Sequence, residues 1–440
     1  MKVSVAGSGY AALVASACFA EMGNLVTVYT PQPANTDASI REPGLQAMLD
    51  SNIAARRLSY TLDLNAALDE CDVFILALAS SSSTIDTAFA IAKNLGEQAT
   101  SEFVFINRTS GEIGFTEQLG EAINAELRTR NTGLVINVVA NPDFLKEGVA
   151  IDDFMRPDRI VLGVSSFETR SKMSELFKPF SRQNDRLMFM GIKDVELTRF
   201  ATSAMLATRV SLMNEIAAIA EVSGVDIENV RRGIGADSRI GYSYLYPGVG
   251  YGGLALPDDV SSLIEKAEQG GISPILLKSV ALRNEKQADW AFKQLTQVLG
   301  SVSGKRVAIW GLSFRPETCD VTGSPAIVLI RQLLDAGAIV AAYDPLANNE
   351  AVGELASQGT SEMLLKKLSL SAHQYDALPD ADALVLMTEW KPFRQPDFNA
   401  IAKLLRSKII IDGRNQYDPE TLTQNGFVYR GVGRGDRQTT

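Results

Sequence analysis

Histidine occurs once in this 440-residue chain, as His373, and cysteine three times, as Cys18, Cys71 and Cys319. That scarcity excludes a good deal of chemistry. A Ser-His-Asp relay or a His/Cys zinc centre has almost nothing to build on, and three scattered thiols form neither a disulfide framework nor a CxxC metal site. No apolar run reaches the length that a bilayer requires. The first residues pass straight into a strand pattern, without the charged-then-apolar sequence of a secretory leader, so the expected location is the cytoplasm. Basic charge is also short: 42 Lys and Arg against 52 Asp and Glu leave a net charge of −10. This balance argues against nucleic acid or an anionic membrane as a general partner, yet leaves room for a local basic pocket holding one phosphorylated ligand.

What is present is ordinary globular material, 46% hydrophobic and 21% charged, in a chain long enough for two or three domains. Short apolar runs at 2–6, 25–30, 73–78, 103–106 and 134–139 are separated by helical patterns such as 10–22. Runs of that kind predict a parallel sheet covered on both faces. The pattern changes near residue 193. Residues 195–221 predict one long helix, apolar on more than one face (Leu197, Phe200, Met205, Leu206, Leu212, Ile219), whose burial calls for a second subunit as well as its own domain. A second long helical stretch is expected over 275–299, with a glycine-rich loop between the two. A new series opens at 305–312 and continues through a helix at 326–336 and strands at 339–343, 383–387 and 408–412.

Gly7-Ser8-Gly9-Tyr10-Ala11-Ala12 follows the first strand and opens the first helix. This is the setting of a Rossmann phosphate turn, in which the first two glycines allow the tight turn and the approach of a pyrophosphate to the helix N-terminus. Ala12 stands where a third glycine would serve helix–strand packing. At the end of the second strand, where such sites carry an acidic residue for the ribose hydroxyls, this chain has Thr30, followed by Pro31 and Gln32. One neutral hydrogen bond in place of two charge-assisted ones loses roughly 1–3 kcal/mol. Two readings stand at this point: a dinucleotide site, or a sheet of the same type with weak or no dinucleotide binding.

The stretch Gly248-Val249-Gly250-Tyr251-Gly252-Gly253-Leu254-Ala255-Leu256-Pro257-Asp258-Asp259 closely resembles the active-site loop of the UDP-glucose and GDP-mannose 6-dehydrogenases. Further blocks match that family in order and spacing: 141–148, 157–160, 237–241, 244–248, 314–318, 324–326, 388–390 and 412–415. The resemblance implies an α/β fold of two Rossmann-like, doubly wound parallel-sheet domains joined by a central helical dimerisation domain. The limits expected are 1–190, 191–302 and 303–440. It also implies NAD as cofactor, UDP-glucose or UDP-glucuronate as ligand, a homodimer, and NAD-dependent oxidation of UDP-glucose to UDP-glucuronate.

Residue by residue, the resemblance puts the family's nucleophilic cysteine at Ala255, its oxyanion-stabilising lysine at Arg199 and its asparagine at Ser203. Asp143 takes the place of one glutamate, while Glu147 and Asp259 are kept. The loop lysine becomes Asp258, an arginine that reaches the cofactor becomes Thr322, and Gly7, Gly9, Tyr10, Ala12, Thr30 and Thr109 complete the cofactor set. The UDP-sugar set is Phe144, Leu145, Arg239, Tyr244, Leu245, Gly248, Gly252, Phe314, Arg315 and Arg414. For Arg239 and Arg414 a structural ion pair is the competing reading, and for Tyr244 and Phe314 plain core packing.

A methyl group cannot trap an aldehyde, so the second oxidation lacks its covalent route. Asp258 and Thr322 both make the phosphate region less favourable to an anion. The expectation is therefore a catalytically impaired paralogue that keeps a nucleotide-sugar site and binds NAD weakly or not at all. The alternatives are two-electron alcohol/aldehyde interconversion on a UDP-sugar, and a non-catalytic partner that regulates an active paralogue. Cys319, in the 314–320 block, is the best thiol replacement of the three cysteines.

Overall fold

The computed structural model describes residues 1–30, 42–79, 83–146, 148–181 and 186–434. Tertiary contacts divide the chain into two compact units, Met1–Ala201 and Thr202–Thr440.

The first unit is built on eight strands: β1 (Lys2–Ala6), β2 (Leu25–Tyr29), β3 (Leu58–Thr61), β4 (Val73–Leu76), β5 (Val104–Asn107), β6 (Asn137–Ala140), β7 (Ile160–Gly163) and β8 (Leu187–Met190). They lie in the order β3-β2-β1-β4-β5-β6-β7-β8. All neighbours are parallel except β6 and β7, so the expected parallel sheet carries an antiparallel joint towards one edge. The wholly apolar strands β4 and β5 explain why the sheet must be sandwiched. Val73 and Ile75 face one buried cluster with Val104 and Ile106, while Phe74, Leu76 and Phe105 face another on the opposite side. The sixth strand begins three residues later than its apolar run suggested, and just before it the Ile136 N–H and carbonyl are both taken by the Asn124 side chain.

The second unit contains six parallel strands: β9 (Arg306–Trp310), β10 (Ile339–Tyr343), β11 (Leu368–Leu370), β12 (Ala383–Leu386), β13 (Ile409–Asp412) and β14 (Val428–Gly431). Their order is β11-β10-β9-β12-β13-β14. Val307 and Ile309 join a core that also takes Met213, Ala217 and Ala220 from the long helix, Ile227 from the next, and Leu245 and Val249 from the glycine-rich segment. Ala308 and Trp310 face a separate cluster on the other side. The helical stretch after residue 202 thus shares its core with the second sheet.

The long helix runs Ile192–Val222. The stretch expected as one helix over 275–299 is two, Ile275–Gln287 and Trp290–Leu299. Asp289 begins the second, and its carboxylate is held from outside by the Gln332 amide at 2.7 Å. The second half of the glycine-rich loop is also helical: Ala255–Gln269 is a helix, with Pro257 in its first turn, where a missing N–H costs nothing.

Candidate functional site

In the first unit the strand order reverses between β1 and β4, and the C-terminal ends of those strands form the crevice where open α/β sheets take ligands. Gly7 leaves β1 at φ 141°, and a Cβ there would meet the Ala77 carbonyl oxygen at 2.3 Å. Gly9 is the N-cap of the helix Tyr10–Glu21, and a Cβ on it would meet Ala79 Cβ at 2.8 Å. The two glycines let the turn lie flat against the chain leaving β4. The N-cap makes no side-chain hydrogen bond, which leaves first-turn N–H groups to an anion. Ala12 is fully buried, as the packing role of its position requires.

The rest of the predicted cofactor set in this unit is less accommodating. Thr30 is buried, and its N–H pairs with the Thr61 carbonyl. Thr109 spends its hydroxyl on the Leu78 N–H at 2.9 Å, which ties the ends of β4 and β5 together. The Tyr10 hydroxyl donates to Glu42. Glu42 was missed by sequence reasoning. It is buried, also accepts from the Gly148 N–H at 2.7 Å, and joins the first helix to the 143–148 segment. Glu42-Pro43-Gly44 ahead of a helix was the only available signal, and it reads as a turn.

Asp143 is half-buried and acts electrostatically on the buried Arg108, whose guanidinium burial pushes down and Asp143 pushes back up. Phe144 lies under the Arg159 guanidinium at 4.4 Å, and Leu145 packs against the core. Glu147 lies outside the described residues. Arg199 stands over the Phe200 ring and lines a pocket with Asn107, Thr109, Pro142 and Glu196. Glu196 fixes that pocket by accepting the Gly114 and Thr116 N–H groups at 2.5 and 2.9 Å.

In the second unit Ala255 opens its helix, solvent-exposed, and Asp258 is exposed in the same turn. Asp259, one turn from Ala255, is buried and accepts the Ser203 hydroxyl at 2.6 Å. The glycine segment before them is held tightly. Gly248 N–H donates to Asn214 Oδ1 at 2.8 Å, its carbonyl accepts Gln287 Nε2 at 2.6 Å, and Asn284 both donates to and accepts from the Tyr251 backbone. Asn214, Asn284 and Gln287 are further residues that sequence reasoning missed, because polar positions inside helices carry no motif.

Gly252 and Gly253 lie against Phe314 and the Gly323 carbonyl, where a Cβ on Gly252 would come within 2.5 Å of that oxygen. Thr322 meets this segment through its backbone, its carbonyl accepting the Gly253 N–H at 2.8 Å. Tyr244 adopts φ 58°, unusual for an aromatic residue, while Leu245 beside it is core. Arg239 is exposed and chelates Asp237 at 2.6 Å. Arg414 lies 3.1 Å from Glu389, and its Nε donates to the Met387 carbonyl at 2.7 Å. Both arginines therefore sit in ion pairs. Arg315 is half-buried in the turn after Phe314. Asp412, fully buried, accepts the Arg414 and Tyr417 N–H groups and the Tyr429 hydroxyl, and burial pushes its carboxyl up.

Two of the three cysteines are buried, closed off from the exposure that an activated thiol needs, and Cys319 is half-buried. Cys18 is buried in the first core, which pushes its thiol up to about 12, and Cys71 is raised by burial too. Cys319 packs against the second core. Among the described residues no cluster of His, Cys, Asp and Glu is suited to a metal ion, and no helix is long and apolar enough to cross a membrane.

Two doubly wound sheets, a glycine phosphate turn and a helix-capped glycine strip define the class: a nucleotide-binding protein with dehydrogenase architecture. Residues 1–181 match the NAD binding domain of the UDP-glucose/GDP-mannose dehydrogenase family, residues 193–286 its central domain, and residues 308–419 its UDP binding domain. The chain belongs to that family. It is 39% identical over 446 residues to the UDP-glucose 6-dehydrogenase of Pseudomonas aeruginosa, covering 99% of this chain and 98% of the relative. The UDP-glucose 6-dehydrogenase of Rhizobium meliloti is 33% identical, with 99% of this chain and 100% of the relative covered. Among solved structures, a UDP-glucose dehydrogenase from Pyrobaculum islandicum superposes with a TM-score of 0.84 at 27% identity, covering 98% and 97% of the two chains.

Proposed function

We propose that this family member binds a UDP-sugar but does not carry out the complete four-electron oxidation of UDP-glucose to UDP-glucuronate. One observation carries the reading: the exposed first position of the helix Ala255–Gln269 bears a methyl group, and every thiol of the chain is placed in or against a core. A carbonyl presented there meets no nucleophile.

NAD, where bound, would accept the hydride. The fit of this chain to it is mixed. Gly7 and Gly9 form the flat, uncapped helix start that suits a pyrophosphate, whereas the buried, neutral Thr30 supplies no carboxylate for the ribose. This supports weak or absent NAD binding. On the sugar-nucleotide side, the strip's Gly248, Tyr251 and Gly253 N–H groups are engaged within the protein, and the guanidinium groups of Arg315 and Arg414 are what would meet a diphosphate. In this reading the domain limits stay at residues 190 and 303, and the location is the cytoplasm.

The long helix leaves Met205, Leu212, Ile219 and Val222 exposed at helical spacing, and Ile275, Leu276 and Leu282 are exposed on a neighbouring helix of the same unit. Such a face supports a homodimer, or pairing with an active paralogue. The test of function is NAD⁺ reduction by purified protein given UDP-glucose, with calorimetric titration of UDP and NAD⁺ separately. UDP binding without turnover supports the proposal; turnover typical of a working dehydrogenase defeats it.

The Ser203–Asp259 pair favours a second reading. A buried carboxylate one turn from Ala255 can take a proton through a bound water, so a two-electron alcohol/aldehyde step needs no thiol. Mass spectrometry after incubation with a UDP-sugar 6-aldehyde and NADH decides this, and an unchanged aldehyde eliminates it.

A further inference from the structure

The second unit holds a cavity of about 160 Å³ that belongs to neither the glycine strip nor the Ala255 helix. It is lined by Asn214, Glu221, Arg283, Lys286, Trp290 and Lys293 among others. Arg283, Lys286 and Lys293 line it with one lining carboxylate, Glu221, and Lys293 also lies 3.8 Å from Asp289. Glu221 Oε1 accepts Trp290 Nε1 and the Gly433 N–H, both at 2.9 Å.

Two donors at the wall lack acceptors. Asn214 is 1% exposed; its Oδ1 takes the Gly248 N–H, which turns its amide nitrogen to the other side, where Nδ2 has no partner among the described residues. Arg283 gives Nη2 to the Asn214 carbonyl at 2.7 Å, and its Nε has no described partner. Those two N–H groups are themselves shielded, so the donors that the cavity can offer a ligand are the cationic ends of Arg283, Lys286 and Lys293, which suit a small anion. At roughly 30 Å³ per water, the space equals about five waters, enough for an orthophosphate-sized group and too little for a whole nucleotide.

We propose that this cavity binds a compact phosphate group, free or as a small monoester, and that its occupancy alters the hold on the 248–251 strip. The linkage is direct. Asn214 carries the Gly248 N–H, and Gln287, another lining residue, carries the Gly248 carbonyl. A ligand that reorients Asn214 or Arg283 shifts the strip, and any effect on UDP affinity must be reciprocal.

Calorimetry on the full chain, with inorganic phosphate or glycerol phosphate titrated at constant ionic strength, provides the test. Saturable binding is expected, persisting when UDP is saturating. Lys286→Ala with Lys293→Ala, both exposed positions outside the UDP-sugar set, should weaken it about tenfold while leaving UDP affinity in phosphate-free buffer unchanged. Lys286→Glu, a charge reversal, should abolish it. No saturable heat, an unchanged isotherm in these variants, or loss of the signal on adding UDP overturns the site. The linkage to UDP affinity rests on the nucleotide-sugar reading proposed above. If UDP itself fails to bind, that reading falls while the phosphate titration still decides the cavity.

Discussion

Single side chains decide most of what this chain can do. At position 7 an added methyl would lie 2.3 Å from a backbone oxygen, in a left-handed conformation that only glycine adopts cheaply. Gly7→Ala is therefore expected to cost about 1–3 kcal/mol, read as a lowered thermal midpoint, and to remove whatever NAD binding calorimetry detects. At position 255 space is no obstacle. Ala255→Cys should add one thiol that reacts rapidly with a chromogenic disulfide to whatever the half-buried Cys319 contributes, while Cys18, buried and pushed up to about 12, stays silent until the protein unfolds. Slow labelling of the variant would mean that the helix start is covered. Ser203→Ala withdraws a 2.6 Å bond from the buried Asp259 carboxylate and should cost about 1–3 kcal/mol in urea unfolding. A midpoint that does not move would mean Asp259 is fully held by its other partners.

Among the elements, the helix Ile275–Gln287 grips the glycine strip through Asn284 on Tyr251 and Gln287 on Gly248, alongside Asn214 of the long helix. Gln287→Ala leaves a buried carbonyl without its donor and should weaken UDP binding by about tenfold in calorimetry, with NAD⁺ titration unaffected. Unchanged UDP affinity would detach this helix from the ligand. The strands were legible in the sequence because runs such as residues 73–76 are apolar at every position, which only a sheet covered twice explains. The break at residues 288–289 was not. Helical spacing continues across it, and Asp289 at the break is held by Gln332 from a distant segment. The start of the helix at Ala255 was hidden likewise, since four glycines within six residues, 248–253, read as loop.

For the molecule as a whole, the long helix carries an exposed apolar stripe. Met205 and Leu212 are 62% and 54% exposed. Replacing both with glutamate should convert a dimer to a monomer in light scattering after size exclusion, without loss of the far-ultraviolet helical signal. A wild-type monomer would contradict the proposed assembly.

The sequence alone determined the two-sheet plan, the phosphate turn and the absence of sulfur at position 255, since each depends on local spacing or on the identity of one side chain. Tertiary structure decided the rest. Whether Arg414 meets a carboxylate, whether Thr30 faces solvent, and which side chains hold Gly248 all depend on residues far apart along the chain. Only packing brings such groups within hydrogen-bonding reach.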